Sequence, residues 1–281
     1  MYSPYSVSDI KRLCARHRIR PSKTRGQNFL IDERVADAVV NAAALDRHGT
    51  VIEVGPGLGA LTFKLAERAG EVTALEIEKT LVSLLVQELQ ERNLKNVSVV
   101  ETDALQWWRT RIPSRVRDST QSQVIANLPY SITSDFFTCI LRDECLPRTL
   151  TVMVQKEVAA RMTARPPHLS MLSVVAQWYG SVEMVAMVPQ SAFWPQPAVE
   201  SAVVHLDTMD ASVHARRAEV DSAQFLSFVR RAFSSPRKKI KSTLGTPIQF
   251  FPGALSACVE RRPSELTVDN WYALYRVMRE K

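Results

Sequence analysis

Between residue 50 and about residue 155, short β-branched runs alternate with longer stretches of helical periodicity. Repeated strand–helix units of this kind build a parallel sheet that is covered by helices on both faces. The predicted strands are 50–54, 71–76, 97–101, 123–126 and 150–155, and the predicted helices between them are 61–68, 80–92 and 134–142. This alternation predicts a doubly wound α/β domain.

The segments that flank these repeated units carry weaker signals. Ser8 and Asp32 are candidate N-caps of two helices that precede the first strand. After the repeated units, extended segments are predicted at 174–178, 182–188 and 201–206, and the last two are typical of an antiparallel sheet edge.

From about residue 207 the chain turns to Arg- and Lys-rich helical patterns without a convincing strand. We therefore predict a first domain at 1–207, which includes a basic N-terminal segment at 1–30, and a second, helical domain at 208–281.

Composition excludes several classes of protein. The 281 residues are 46% apolar, and no run approaches the roughly 18–20 apolar residues that a membrane-spanning helix needs. The four cysteines form no C-x-x-C pair and the five histidines are scattered, so we predict neither a disulfide framework nor a metal site. This cysteine usage fits a reducing compartment, and we expect a cytoplasmic protein without membrane association.

The net charge of +7 is concentrated at the two ends of the chain. Residues 1–30 carry seven basic and one acidic side chains, residues 188–281 carry 13 and 9, and the middle carries 16 and 19. Clustered positive charge attracts phosphates, which indicates a nucleic acid or a membrane surface. Solvated surface is the alternative.

A glycine-rich turn lies directly between the first predicted strand and the next helix. Gly55, Gly57 and Gly59 lie in the sequence VGPGLGA, where glycine tolerates unusual backbone angles and lets a ligand approach the main chain. Glu76 ends the next strand, where a carboxylate can accept hydrogen bonds from both hydroxyls of a ribose. A nucleotide-like cofactor is predicted. Gly55-x-Gly57-x-x-Ala60 also satisfies the dinucleotide fingerprint, and a tight turn without a ligand stays open.

The next two strand ends carry candidate residues for adenine recognition. Asp103 follows the third strand, where its carboxylate either accepts from an adenine amino group or caps the next helix. Asn127, Leu128, Pro129 and Tyr130 follow the fourth strand, beside the cleft where open α/β sheets bind ligands. An amide oxygen and a main-chain carbonyl can accept both N–H bonds of an exocyclic amine, and a tyrosine face can stack a flipped base. A plain β-turn is the alternative, but the position after a glycine-rich turn favours the catalytic interpretation.

Further motifs join these along most of the chain, from about residue 8 to residue 275. The full set is GQNFL at 26–30, EVGPGLG at 53–59, Glu76, Asp103, NLPY at 127–130, QKEV at 155–158, SAFWPQP at 191–197, SAVV at 201–204 and FSSPRKKIKSTLG at 233–245. Together they resemble the small-subunit ribosomal RNA adenine-N6,N6-dimethyltransferases, the kasugamycin-resistance methyltransferase family.

The resemblance implies a Rossmann-like class I methyltransferase fold, with a mostly parallel seven-stranded sheet and a smaller C-terminal helical domain. It also implies S-adenosylmethionine as methyl donor, no metal, and two successive transfers to N6 of each of two adjacent adenosines. Those adenosines lie in a loop near the 3′ end of small-subunit ribosomal RNA, and their methylation belongs to small-subunit biogenesis.

The resemblance also assigns residues to the site. The cofactor-binding residues are Asn28 and Leu30 at the methionine end, Gly55, Gly57 and Gly59 in the loop, Glu76 on the ribose, Asp103 on the adenine, and Asn127. The catalytic residues are Asn127, Leu128, Pro129, Tyr130 and Phe193, with Phe193 stacking the base opposite Tyr130.

A basic run in the C-terminal part is predicted to grip the RNA backbone, because RNA is recognised largely through its shape and its unstacked bases. Its residues are Arg230, Arg231, Arg237, Lys238, Lys239 and Lys241. A solvated helix face is the alternative. We expect small-subunit ribosomal RNA or the immature small subunit as the partner, and a monomeric enzyme.

Three competing functions stay open. A large-subunit RNA adenine methyltransferase of the macrolide-resistance type shares the cofactor loop and a similar N-x-P-Y motif, but the proline-rich turn at 193–197 and the segment 236–245 favour the small-subunit enzyme. A non-catalytic ribosome-assembly or transcription factor would keep the fold for binding alone. A nicotinamide oxidoreductase would use the dinucleotide fingerprint, but it lacks an evident catalytic partner.

Overall fold

The computed structural model describes residues 1–22, 26–110, 122–141, 146–245, 251 and 253–279. These residues form two compact units. The first combines Met1–Ala159 with Glu183–Asp207, and the second combines Ala160–Val182 with Thr208–Lys281. The predicted single boundary after residue 207 placed residues 160–182 in the first domain, whereas in the structure they belong to the second unit.

A seven-stranded sheet forms the centre of the first unit. The described strands, in chain order, are β1 (Phe29–Leu30), β2 (Thr50–Val54), β3 (Glu71–Glu76), β4 (Val97–Glu101), β5 (Ser122–Asn127), β6 (Thr149–Gln155), β7 (Ser181–Val188), β8 (Phe193–Trp194) and β9 (Ser201–Asp207). The sheet order is β4-β3-β2-β5-β6-β9-β7, and β1 and β8 form a separate antiparallel pair. Neighbours from β4 to β6 are parallel, and β9 is antiparallel to β6. The predicted mostly parallel seven-stranded sheet is confirmed.

The order of the strands creates a crevice beside β2. The strands β3 and β4 extend the sheet on one side of β2, and β5 and β6 extend it on the other. The loops after β2 and β5 therefore leave in opposite directions, and open α/β sheets bind ligands at such a switch point. Glu76 and Asn127 end β3 and β5 at this edge of the sheet.

Burial on both faces explains the apolar runs of the central strands. In β6, the six residues from Thr149 to Val154 are all buried, and in β5 the first five are buried. The predicted bounds of β2, β3 and β4 agree with the structure, and β5 and β6 begin one residue before their predicted starts.

Seven helices begin in the part of the first unit that the structure describes: α1 (Val7–His17), α2 (Glu33–Ala42), α3 (Thr62–Arg68), α4 (Lys79–Glu91), α5 (Ala104–Thr110), α6 (Thr133–Ile140) and α7 (Lys156–Met162). Asp32 caps α2 as predicted, because its carboxylate accepts from the amide of Arg34. The prediction of Ser8 as the cap of α1 is wrong. Ser6 has the extended backbone and accepts from the amide of Asp9, so Ser8 lies inside the first turn.

Helices make up the second unit, where the structure describes α8 (Met171–Tyr179), α9 (Ala211–Glu219), α10 (Ser222–Phe233), α11 (Ile240–Leu244), α12 (Ala254–Val259) and α13 (Val268–Arg279). Nowhere in the described ranges is a helix both long and apolar enough to cross a membrane.

Helix α8 replaces the extended segment that was predicted at 174–178. Ser170 and Ser173 form a capping box that starts the helix. Trp178 is fully buried, its ring centroid lies 3.9 Å from that of Phe225, and its Nε1 donates to Ser222 Oγ at 2.9 Å. This packing against α10 favours the helix over the β-propensity of the valines, and it explains why this segment belongs to the helical unit.

Candidate active site

A cavity of about 320 Å³ lies at the carboxyl ends of the central strands of the first unit. Ten of the predicted site residues line it: Asn28, Leu30, Gly55, Gly57, Glu76, Asp103, Asn127, Leu128, Pro129 and Phe193. Residues that are far apart in the sequence therefore come together around one cavity.

The turn after β2 depends on glycine. Gly55, Gly57 and Gly59 have φ angles of +69°, +55° and +79°, which side chains rarely tolerate. A Cβ on Gly57 would lie 3.2 Å from the ring of Phe29, and a Cβ on Gly59 would lie 2.6 Å from that of Phe63. Gly59 thus packs against α3 and does not line the cavity, so its predicted contact with a cofactor stays a prediction.

Glu76 joins this turn to the start of α4. Its side chain is buried, Oε2 accepts from the amide of Gly57 at 3.2 Å, and Oε1 accepts from the amide of Glu78 at 2.9 Å. Burial raises the pKa of Glu76. Because a carboxylate oxygen has two lone pairs, each oxygen can still accept from a ligand hydroxyl.

Glu53 is a second buried carboxyl in the wall, and it was not among the predicted site residues. It is 1% exposed, and no donor in the described ranges reaches its Oε2. Burial, with a smaller effect of the negative charge of Glu76, raises the pKa of Glu53 to about 8. A strongly perturbed acid in a cleft is a mark of a functional site. The available sequence signal was an acidic residue inside the buried run VIEV.

Asp103 and Ile77 occupy the part of the wall after β3 and β4. Asp103 Oδ1 accepts from the amides of Leu105 and Gln106 at 2.7 and 3.0 Å, so the capping role that the sequence left open is present. Asp103 also lines the cavity. Ile77, which was not predicted, is apolar yet 59% exposed, and it lines the cavity directly after Glu76. Such a side chain suits the face of a flat ring.

The segment 26–30 closes the cavity on another side. Asn28 Nδ2 donates to the carbonyl of Gly26 at 3.1 Å, and Leu30 is buried in β1, where it pairs with Phe193. Gln27, which the sequence analysis also left without a role, donates through Nε2 to Glu78 at 3.0 Å. The bond of Gln27 connects the segment to the start of α4.

The turn after β5 holds Asn127 in one orientation. Asn127 Nδ2 donates to the backbone carbonyl of Asn28 at 3.1 Å, which identifies Oδ1 as the free acceptor, and no donor in the described part of the chain reaches it. The amide of Leu128 donates to the carbonyl of Met153, and the carbonyl of Pro129 accepts from the amide of Ile132, both at 3.1 Å. Leu128 is 1% exposed, so it presents mainly its backbone.

The two aromatic residues predicted to stack the target base differ in what the structure describes. The backbone of Tyr130 begins a short 3-10 turn, Tyr130–Ile132, and its side chain lies outside the described part of the structure. Phe193 is only 2% exposed because it packs with Leu30, Ile125 and Val203 in the core. Its stacking role stays a prediction.

The predicted RNA-binding residues lie in the second unit. Arg230 and Arg231 occupy the last turn of α10. Lys241 is partly exposed, and the other five side chains of the set are exposed. The carboxylate of Glu260 accepts from Lys239 at 3.0 Å and from Lys241 at 2.7 Å, and the two lysines lower the pKa of Glu260.

A known protein family matches most of this chain. The model of a family described as ribosomal RNA adenine dimethylase matches residues 18–259. The chain belongs to this family. The resemblance inferred from the motifs is confirmed.

Relatives in the dimethylase family include two proteins named Ribosomal RNA small subunit methyltransferase A. The protein from Alkaliphilus oremlandii is 38% identical over 244 residues, which are 86% of this chain and 83% of that one. The protein from Dehalococcoides mccartyi is 32% identical over 285 residues, which are 99% of this chain and 95% of that one.

Solved structures share the fold of this dimethylase-family chain. A dimethyladenosine transferase from Plasmodium falciparum matches with a TM-score of 0.76 and 22% identity, over 89% of this chain and 97% of that one. The 23S rRNA methyltransferase ErmE matches with a TM-score of 0.73 and 26% identity, over 90% of this chain and 100% of that one. Both are methyltransferases, so the predicted class I methyltransferase fold is confirmed.

Proposed function

We propose that this chain transfers methyl groups from S-adenosylmethionine to N6 of two adjacent adenosines, two to each, in a loop near the 3′ end of small-subunit ribosomal RNA. The observation that carries the proposal is the orientation of Asn127, whose Nδ2 is bonded to the carbonyl of Asn28 and whose Oδ1 is left as an acceptor at the cavity wall.

An adenine amino group is a poor nucleophile because its lone pair is delocalised into the ring. Asn127 Oδ1 can accept one N6–H bond, and the carbonyl of Leu128, which no donor in the described ranges occupies, can accept the other. Two acceptors on the N–H bonds favour a pyramidal nitrogen with an available lone pair. Because a neutral amide is no base, Asn127 orients and stabilises the amine, and positioning supplies much of the catalysis.

The residues of the cavity wall fit S-adenosylmethionine, which when bound supplies an electrophilic methyl group on a sulfonium centre. The glycine turn keeps side chains away from the main chain at Gly55 and Gly57. Glu76 would accept from the ribose hydroxyls, and Asp103 and Ile77 would bind the adenine. Asn28 and Leu30 would hold the methionine end, and Glu53 Oε2, which no donor in the described ranges reaches, leaves a polar atom beside the ligand.

The names of the relatives support the small subunit as the source of the RNA. The two relatives named for the small subunit are 38% and 32% identical to this chain, whereas ErmE, named for 23S rRNA, is 26% identical. The large-subunit substrate is therefore the weaker alternative. A non-catalytic factor would not need the Asn127 acceptor in place, and an oxidoreductase would not use it.

The wider setting of the reaction belongs to the same proposal. The exposed basic residues at 230–241 would bind RNA phosphates through long-range attraction and direct contacts. The partner is the immature small subunit, and the enzyme acts as a cytoplasmic monomer without a metal. Sedimentation of the chain with and without immature small subunits tests the complex and its stoichiometry.

Replacement of Asn127 tests the reaction. With small subunits from cells that lack the gene as substrate, Asn127→Ala is expected to lower kcat about 10²- to 10³-fold, because it removes an interaction that strengthens in the transition state. Mass spectrometry of the nucleosides measures N6,N6-dimethyladenosine. Asn41→Ala, which removes an exposed amide from α2, is the matched control and keeps full activity.

Two outcomes would overturn the proposal. Full activity of Asn127→Ala would exclude the amide as the acceptor for N6. Efficient methylation of naked large-subunit RNA, together with no methylation of small-subunit particles, would identify the chain as a large-subunit RNA methyltransferase instead. Titration of the wild-type chain with S-adenosylmethionine and with NAD distinguishes the two RNA methyltransferases from an oxidoreductase, which would bind only NAD.

A further inference from the structure

Two tyrosines near the start of the chain bond to the turn that shapes the cavity. Tyr2 Oη donates to the carbonyl of Leu58, and Tyr5 Oη donates to the carbonyl of Ala60, each at 2.5 Å. Leu58 and Ala60 flank Gly59, and both line the cavity. The two hydroxyls therefore fix the carbonyls of the two residues on either side of the third glycine of the turn.

The helices behind the turn hold Tyr2 in place. The Arg92 guanidinium donates to the backbone carbonyl of Tyr2, and it lies 5.9 Å from the centroid of the Tyr2 ring and 4.0 Å from that of Phe63. Tyr2 also meets Phe63 edge to face at 6.4 Å. Glu88 pairs with Arg92 at 3.3 Å, which fixes the guanidinium.

Tyr5 is held by a different cation. Lys64 Nζ lies 5.5 Å from the centroid of the Tyr5 ring, and it pairs with Glu33 at 3.0 Å and Asp37 at 2.8 Å. The segment between the tyrosines is itself fixed, since the amide of Ser3 donates to Asp9 in α1 at 3.1 Å. Both hydroxyls therefore come from a segment that is also held by contacts outside the turn.

Packing from the side of α3 completes the support of the turn. A Cβ on Gly59 would lie 2.6 Å from the ring of Phe63, so this ring presses on the glycine between the two bonded carbonyls. Tyr2 contacts the same ring. Burial raises the pKa of both phenols, which favours their neutral, hydrogen-bond-donating form.

From these contacts we infer that Tyr2 and Tyr5 are positioning residues for the donor-binding turn: their hydroxyls hold the carbonyls of Leu58 and Ala60, and thereby the backbone at Gly55 and Gly57. The inference rests on the proposed function, because the ligand whose affinity depends on this turn is the nucleoside donor S-adenosylmethionine. It adds a role that the motifs did not include, since neither tyrosine lies in one of them.

Removal of single oxygen atoms tests the inference in the full chain. Tyr2→Phe, Tyr5→Phe and the double variant, purified with a C-terminal tag so that residues 1–5 stay native, are titrated with S-adenosylmethionine by calorimetry. Each lost hydrogen bond is expected to raise the Kd about threefold, and both together about tenfold. The KM for the donor is expected to rise by the same factors, while kcat and the KM for RNA stay unchanged. Tyr272→Phe, which removes a hydroxyl bonded to Glu219 in the second unit, is the matched control without effect.

Hydrogen exchange of the peptide that covers residues 55–63 gives a second readout. The inference predicts faster exchange of this peptide in the ligand-free Tyr variants than in Tyr272→Phe. Unchanged donor affinity together with unchanged exchange would overturn the inference and leave the proposed function standing. A lower melting temperature of the Tyr variants without a change in Kd would overturn the inference in the same way. A folded wild-type chain that does not bind the donor would overturn both. If the double variant does not fold, the single variants decide by the same criteria.

Discussion

The cavity wall of the first unit and the basic run of the second unit hold their functional groups in opposite ways. At the wall, main-chain amides fix both oxygens of Glu76, and a main-chain carbonyl fixes the amide of Asn127. In the basic run, long exposed side chains carry the charge, and Lys239 and Lys241 share the carboxylate of Glu260. The wall is preorganised for chemistry, whereas the charges of the run can rearrange around a partner.

The pKa values of acids in the two regions are shifted in opposite directions. Burial raises the pKa of Glu53 and Glu76, whereas the two lysines lower the pKa of Glu260. Substitutions at the cavity wall should therefore affect individual reaction steps and the stability of the fold. Changes in the basic run should alter RNA affinity in proportion to charge and in a way that salt suppresses.

Glu76→Ala is expected to have the largest effect. It removes the proposed ribose acceptor and leaves the partly buried amides of Gly57 and Glu78 without their protein partner, which costs up to about 1–3 kcal/mol of unfolding free energy for each. Donor affinity is expected to fall at least 100-fold, about the effect of losing two hydrogen bonds to a charged group. Calorimetry measures the affinity.

Glu71→Ala is its matched control, because Glu71 is exposed at the other end of the same strand. A drop in donor affinity for Glu76→Ala of less than fivefold would contradict the view that the wall is preorganised around this carboxylate.

Glu53→Gln is expected to change how stability depends on pH. The pKa of Glu53 rises from 4.5 to about 8 on folding, so the folded chain binds the proton more tightly than the unfolded chain. Wild-type stability from this group is therefore greatest below pH 4.5, and it is lost as the pH rises toward 8. Glutamine cannot ionise, so from pH 5.5 to pH 8 the wild type should lose on the order of 3 kcal/mol relative to the variant.

Denaturant unfolding of both proteins at the two pH values measures this difference. Glu67→Gln on the exposed face of α3 serves as the control, because it makes the same replacement at an exposed position. A pH-independent offset between wild type and Glu53→Gln would show that Glu53 ionises near its ordinary pKa.

The parts of the fold and the site that could be predicted are those that leave a local signal in the sequence. Strands β2 and β3 have their predicted bounds because local pattern and burial agree there, and β4 has its predicted bounds although none of its residues is buried. The glycine turn was found because its backbone angles favour glycine, and Asn127 was found because the NLPY motif follows a predicted strand. The helix at 174–178 was missed because Trp178 packs on a residue 47 positions away, and the burial of Phe193 was missed for the same kind of reason. Long-range packing also hides the roles of Ile77 and Tyr2, since no local pattern marks them.

In the basic run, the double variant Arg237→Ala with Lys238→Ala is expected to weaken RNA binding on the order of tenfold at moderate salt. Each lost phosphate contact should reduce the slope of log affinity against log salt by about 0.7–0.9, while kcat at saturating RNA stays unchanged. Filter binding over a salt series measures both quantities. Lys95→Ala with Arg109→Ala removes the same charge from exposed positions of the first unit. Equal changes in both double variants would mean that only net charge matters.

Glu260→Gln is expected to have the smallest effect and the opposite sign. Its carboxylate is partly exposed and pairs with Lys239 and Lys241, and exposed ion pairs contribute little to stability, so unfolding should not change measurably. Both lysines become available to phosphates, so RNA affinity should rise about two- to fivefold and the salt dependence should steepen. Weaker binding by Glu260→Gln in the same salt series would mean that the carboxylate holds the lysines in a required geometry. The basic run would then be preorganised like the cavity wall, because its cations would depend on an acid for their placement as the glycine turn depends on Glu76.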